Sequence, residues 1–148
     1  MSTLEIIECR LEEFLGFLGS LDDFYETPSI EEASDRIGYA QSLALLAKLD
    51  GEIVGCKLGY ALPDENGERV FYSWLGGVNQ GCRKQGVASS LLDYQEQWLK
   101  TQGYTEVRVK SMNHYPNMLR FLIKKGYQVT GVEPGVPEKL KVHFSKKL

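Results

Sequence analysis

The spacing of apolar and polar positions changes along the chain, and each change marks an element. Leu4 to Cys9 reads as a short strand, Leu4, Ile6 and Glu8 alternating against Glu5, Ile7 and Cys9. From Leu11 the spacing becomes helical through Phe14, Leu15 and Leu18, and it fades at Gly19-Ser20. Ser29 with Glu32 three residues on is a capping-box signature, predicting a second helix from Ile30 to about Tyr39. Leu43–Leu49 and Ile53–Leu62 alternate on either side of Asp50-Gly51, a two-residue hairpin signal. On the second of these strands Val54, Cys56, Leu58, Tyr60 and Leu62 share a face. A turn at Asp64–Gly67 leads into Val70–Val78, with Val70, Tyr72, Trp74 and Val78 on one face and Phe71 and Leu75 on the other. A strand apolar on both faces is covered on both, so its place is near the middle of a sheet. Gly76-Gly77 near its end predict a bulge or a close backbone approach.

After Gly86 comes the clearest helix, its stripe Val87, Leu91, Tyr94 and Trp98 widened by Ala88, Leu92 and Leu99, with Gly103 in the C′ position. Thr105–Lys110 alternates as a strand, Asn117–Lys125 is helical with Gly126 as its stop, and Tyr127–Val132 and Leu140–Phe144 close the chain as strands. The order β-α-α-β-β-β-α-β-α-β-β, with no internal repeat or linker, predicts a mixed α/β fold around a largely antiparallel sheet flanked by about four helices.

Composition narrows this picture only slightly. A chain of 148 residues, 43% hydrophobic and 25% charged, suits one domain spanning residues 1–148 with a real core. A net charge of −3 argues against nucleic acid as a partner. Cys9, Cys56 and Cys82 are odd in number and contain no C-x-x-C pair, so neither a disulfide framework nor a metal knuckle is expected. The acidic start lacks the features of a signal peptide, and no apolar run approaches the roughly 20 residues that cross a bilayer. A cytoplasmic protein without a membrane partner is the expectation; a homodimer stays open.

The chemistry concentrates between Trp74 and Trp98. Gly81–Ala88 reads G-C-R-K-Q-G-V-A, between a buried strand and an amphipathic helix. It has neither the Walker spacing nor the G-x-G-x-x-G fingerprint. Small residues at 86 and 88 let a phosphate group approach free backbone N–H groups at a helix start, while Arg83 and Lys84 add charge. A basic turn that merely caps an ordinary helix is an equal reading of these eight residues alone.

Val78, Arg83, Gly86 and Ala88 together make V-x-x-x-x-R-x-x-G-x-A, which resembles the acetyl-CoA-binding signature of the GNAT N-acetyltransferase superfamily. The likeness extends over most of the chain: Asn113, Met118-Leu119, Phe121, Lys124 and Gly126-Tyr127 are similar to the family's second motif, and a bacterial subgroup with unassigned substrates is the nearest likeness. The resemblance implies that Phe71–Val78 and Thr105–Lys110 splay apart around acetyl-CoA as cosubstrate, with the bulge at Gly76-Gly77 starting the splay. It implies pantetheine beside Gly77 and Val78, a pyrophosphate over Arg83, Lys84, Gln85, Gly86, Val87, Ala88 and Ser89, and a cofactor contact from Asn113. The implied reaction is direct acyl transfer to a primary amine of a small molecule or peptide, with a non-catalytic acyl-CoA-binding or sensor module as the alternative.

The chain departs from the pattern where the family often has its acid, a tyrosine four residues before the second motif's glycine. Leu122 stands there and cannot donate a proton. Tyr115, His114 and Ser73 are the remaining catalytic candidates, and no metal is implied. Asp22, Asp23, Phe24, Tyr25 and Glu26 fall where the family commonly walls its acceptor pocket. His143, Lys139, Lys141, Lys146 and Lys147 read as structural or as a solvated edge.

Overall fold

The computed structural model describes residues 2–21, 27–83, 86–113 and 115–148. Their elements run β1 (Leu4–Glu8), α1 (Leu11–Leu18), α2 (Ile30–Ile37), β2 (Ser42–Leu49), β3 (Glu52–Ala61), β4 (Val70–Val78), α3 (Val87–Thr101), β5 (Glu106–Met112), α4 (Pro116–Lys124), β6 (Gln128–Glu133) and β7 (Lys141–Lys147). Short 3-10 turns at Gln80–Cys82 and Pro137–Lys139, which the apolar pattern does not signal, complete the order. At α2 the expected capping box forms: the Ser29 hydroxyl accepts from the Glu32 amide, and the Glu32 carboxylate accepts from the Ser29 amide.

The strands form one seven-stranded sheet in the order β1-β2-β3-β4-β5-β7-β6, which puts β4 at its centre, as its two apolar faces require. All pairings are antiparallel except β4 with β5. One face of the sheet packs under α3 and α4 in a cluster that includes Leu45, Phe71, Leu91, Leu99, Val107 and Phe144. The other face packs under α1, where Phe14, Leu18, Leu46, Cys56 and Leu58 are buried. Full burial of a side chain such as Phe14 stabilises the fold by about 1.5–3 kcal/mol.

The bulge is not where the paired glycines suggested. Gly76, Gly77 and Val78 pair in regular register with Lys57, Cys56 and Gly55; the extra residue is Trp74, between the Leu58–Leu75 and Gly59–Ser73 pairs. A second extra residue, Val54, interrupts the β2–β3 ladder. Each bulge turns the alternation over. Leu75 therefore joins Trp74 on the α1 side while Val78 joins the α3 cluster, and Val54 parts from Cys56 and Leu58. Gly76 has a different purpose: a Cβ on it would stand 2.9 Å from the Cys56 carbonyl oxygen.

Two further expectations change. The inner stripe of α3 is Val87, Leu91, Leu92, Gln95, Glu96 and Leu99, with Tyr94 and Trp98 on its margin. β7 is an interior strand, not an edge, and two of its lysines are engaged: Lys146 donates to Glu96 at 2.8 Å and Lys147 to Glu106 at 2.6 Å, while Lys141 is exposed.

Gly59 faces the α3 side, where a Cβ would overlap the Phe71 ring and approach the Tyr72 carbonyl oxygen to 2.6 Å. Because ring and backbone are both locked, Gly59→Ala is expected to destabilise the fold by about 3 kcal/mol. A lowered urea midpoint with unchanged slope checks this.

Candidate active site

β4 and β5 pair only from Val70–Glu106 to Ser73–Val109. Beyond that point β4 stays with β3 through Val78, and β5 stays with β7 through Met112, so the two strands diverge into a fork. Along Trp74–Val78 the edge of β4 that faces the fork has no strand beside it. Backbone groups there need a partner, and a strand-like ligand would supply one.

A charged clasp holds the closed end. Glu106 accepts from Arg108 at 2.6 Å, Lys147 at 2.6 Å and Ser145 at 2.9 Å, while Arg108 also grips Glu65 in a bidentate pair at 2.6 and 3.0 Å. Burial alone would raise the Glu106 carboxyl, but the bonds from Arg108, Lys147 and Ser145 outweigh it and hold the group at about 2.

At the open end, β4 leads through Gln80–Cys82 and Arg83 to Gly86, the N-cap of α3. Gly86 is left-handed (φ 79°), makes no side-chain cap, and a Cβ on it would meet nothing within 4 Å. α1 and α2 carry capping boxes and two glutamates each in their first turns; α3 has neither, so the amides of Val87, Ala88 and Ser89 face outward with the helix dipole uncompensated. Such a terminus suits an anion. Lys84 and Gln85, expected in this loop, lie outside the described residues, as do His114 and the Asp22–Glu26 stretch.

The other expected residues spread around the fork. Ser73 is 4% exposed and marks its apex, as the last β4 residue paired with β5. Asn113, just past β5, is not the cap of α4, which is Tyr115; its side-chain amide donates to the Pro137 carbonyl at 3.3 Å. Tyr115 is exposed. Leu122 is buried in the α3-side core, so that position is apolar in surroundings as well as in identity.

On the α1 side of the fork stands a group that sequence patterning does not reveal. Tyr60 meets Tyr72 and Trp74 edge-on, with centroids 5.6 and 5.8 Å apart. Arg36 lies over Trp74 at 4.3 Å and donates from Nε to the Tyr60 hydroxyl at 2.8 Å. Burial raises the Tyr72 phenol above its ordinary range despite nearby Arg36, so it is a protonated donor at neutral pH. On the α3 side, half-buried Lys57 and buried Gln95 and Glu96 are polar groups in an otherwise apolar layer. The nearest sequence signal is the pair Gly55 and Gly59 two residues to either side, which marks this face as closely covered: a Cβ at either would run into Val87 or the Phe71 ring. Elsewhere, a cleft of about 250 Å³ lined by Glu8, Ser34, Ile37, Ser42, Ala44 and Leu58 lies on the α1/α2 side, with no lining residue from β4, β5 or the β4–α3 loop.

A forked sheet whose central strand runs into an uncapped helix start is the architecture of acyl-CoA-dependent acetyltransferases. Residues 7–127 match the model of the acetyltransferase (GNAT) family, and the chain belongs to that family of N-acetyltransferases. Among solved structures it is similar to Arabidopsis thaliana Naa50 in complex with a bisubstrate analogue, CoA-Ac-MVNAL (19% identity, 98% of this chain and 99% of that one, TM-score 0.79). It is also similar to the ribosomal-protein-S18-alanine N-acetyltransferase of Escherichia coli (10% identity, 98% and 94% covered, TM-score 0.79). A third similar structure is a GNAT family acetyltransferase from Elizabethkingia anophelis with acetyl-CoA bound (17% identity, 98% of each chain, TM-score 0.71). No curated protein matches the chain significantly. Among the described residues no helix is long and apolar enough to cross a membrane.

The clasp makes the closed end acid-sensitive. A carboxyl held at about 2 against an ordinary 4.5 adds stability that is complete above 4.5 and lost as pH falls toward 2. Glu106→Gln should lower stability at neutral pH and flatten its decline between those values relative to the parent, as read from urea midpoints at a series of pH values.

Proposed function

We propose that this chain transfers an acetyl group directly from acetyl-CoA to a primary amine of a small molecule or peptide, within a single domain formed by residues 1–148. The observation that carries this reading is the continuity of two unsatisfied features: the open edge of β4 at 74–78 and the uncapped start of α3 at Gly86. A pantetheine arm fits the first as an added strand beside Gly77 and Val78, and a pyrophosphate fits the second over Gly86, Val87, Ala88 and Ser89 with Arg83 alongside. From the sequence, Lys84 and Gln85 belong to the same loop. Asn113 retains its carbonyl oxygen for an amide N–H of the arm while its amine end ties down Pro137. The Naa50 structure holds a bisubstrate analogue of CoA and a peptide, and the Escherichia coli neighbour is named for an alanine of a ribosomal protein; both support an amine acceptor.

Transfer requires that the acceptor ammonium, with an ordinary pKa near ~10, lose a proton before attack. Tyr72, protonated and on the α1 side, is suited to donating a hydrogen bond rather than to resting as a base. Backbone N–H groups along 76–78 polarise a carbonyl seated against the β4 edge. Burial raises Cys56 and Cys9 to about 12 and about 11, so these two thiols are poor nucleophiles. Leu122 favours one second reading, an acyl-CoA-binding module that does not turn over.

Titration calorimetry with acetyl-CoA tests the cofactor reading, and absence of heat at millimolar ligand overturns it. Gly86→Tyr should abolish binding while unfolding stays cooperative, because the ring would occupy the space above the α3 amides. CoA release above background with any member of an amine panel separates the catalyst from the binding module.

A further inference from the structure

The layer between the sheet and α3 should be apolar, yet it contains Lys57. The side chain of Gly55 would meet Val87 and Leu91 of α3, which fixes the α3 side for position 55 and, by strand alternation, for 57 and 59. Lys57 pairs with Leu45 of β2 on one side and Gly76 of β4 on the other. Its stem crosses Gly76: a Cβ there would contact the Lys57 Cγ at 3.7 Å. A lysine side chain spans about 6 Å and neighbouring strands stand about 4.8 Å apart, so the ammonium passes over β4 toward the fork.

The charge environment agrees with this direction. The group that acts on Lys57 from α3 is Glu96, whose carboxylate is fixed by the Tyr127 hydroxyl at 2.8 Å and by Lys146 of β7 at 2.8 Å, on the far side of β4 from Lys57. From β3 itself the neighbour is Cys56, directed to the opposite face; β2 and β4 present only Leu45 and Gly76. Among the described residues the ammonium makes neither hydrogen bond nor ion pair. Burial lowers it to about 8, close to the ~8.5 of a free thiol. On the inner stripe of α3, one turn beyond Leu91, stands Gln95, 0% exposed, with neither Nε2 nor Oε1 satisfied. A buried amide without partners costs about 1–3 kcal/mol. The α3-side layer therefore holds a half-buried cation without a protein partner among the described residues and a buried amide left unsatisfied.

We propose that Lys57 donates the proton to the sulfur that departs when the acetyl group is transferred, the role for which Leu122 is unfit. This rests on the reading that the arm of acetyl-CoA lies along β4. The acceptor nitrogen bonds to the thioester carbon and gives up its surplus proton to solvent, the carbon–sulfur bond breaks with its electron pair moving to sulfur, and the proton on sulfur comes from the Lys57 ammonium. The neutral amine regains a proton from solvent as CoA leaves.

The test needs no acceptor. The thiol of bound CoA is titrated by thiolate absorbance in the parent and in Lys57→Met, which keeps the stem and removes the charge. In the parent, the cation lowers the bound thiol by about one unit or more relative to free CoA. In Lys57→Met the bound thiol titrates at or above the free value. Adenosine 3′,5′-bisphosphate, which lacks the arm, binds both proteins equally, showing that the loop and fold are intact. An identical thiol titration in parent and variant overturns the proposal, whatever the variant does to stability. Failure of the parent to bind CoA at all overturns the cofactor reading and this inference with it, so the two failures are distinct.

Discussion

β4 has to serve two neighbours that do not run together. β3 holds it along its length, while β5 accompanies it only to Ser73 and then follows β7. Backbone groups in the interior of a sheet are normally satisfied on both sides, and leaving one side open is costly unless the opening is used. The rest of the fold is arranged to sustain that opening. The α3 connection joins the end of β4 to the start of β5, the Glu106 clasp prevents the closed end from peeling, and Gly76 allows β3 to approach where a side chain would push it away.

The two sides of the fork differ in kind. On the α1 side the bulge at Trp74 gathers Tyr60, Tyr72 and Trp74 under Arg36, an aromatic and hydrogen-bonding surface. On the α3 side the layer is a packed core of aliphatic side chains and rings such as Phe71, Trp98 and Tyr104, broken only by Lys57, Gln95 and Glu96. One residue of extra length in β4 produces this division: without it, Leu75 would point into the α3 core and Val78 away from it, and the start of α3 would lose its seat against the strand.

Much of this architecture is visible in the sequence because local signals and tertiary demands agree. The capping box at Ser29, the Asp50-Gly51 hairpin, the doubly apolar central strand and the glycine-bounded helices lie close to where the pattern puts them. The basic loop between β4 and α3 stands out in the sequence for a related reason, since its glycine and small residues fall at fixed spacing before a helix start. What escapes is set by register and by burial between layers. Nothing in the alternation of Val70–Val78 tells which residue is extra, and paired glycines point to positions 76 and 77 when the bulge is at 74. Lys57 escapes because strand periodicity separates the two faces of Ile53–Leu62 but does not tell whether both are covered. Gln95 and Glu96 sit within an apolar stripe that Tyr94 and Trp98 appear, by spacing, to define. The lysines of β7 look like an exposed edge because nothing local reveals that β6 returns outside them.

The open edge of β4 also acts as a filter on shape. A stray peptide adding to it would bring a side chain to one face or the other at every residue, and the faces here are occupied: Trp74 and Leu75 crowd one, the Lys57 stem the other. A slender, unbranched chain of amides meets no such obstruction. The same slot that leaves the backbone unpaired thus excludes most of what unpaired backbone attracts, so the protein can carry an interior strand edge without inviting aggregation through it.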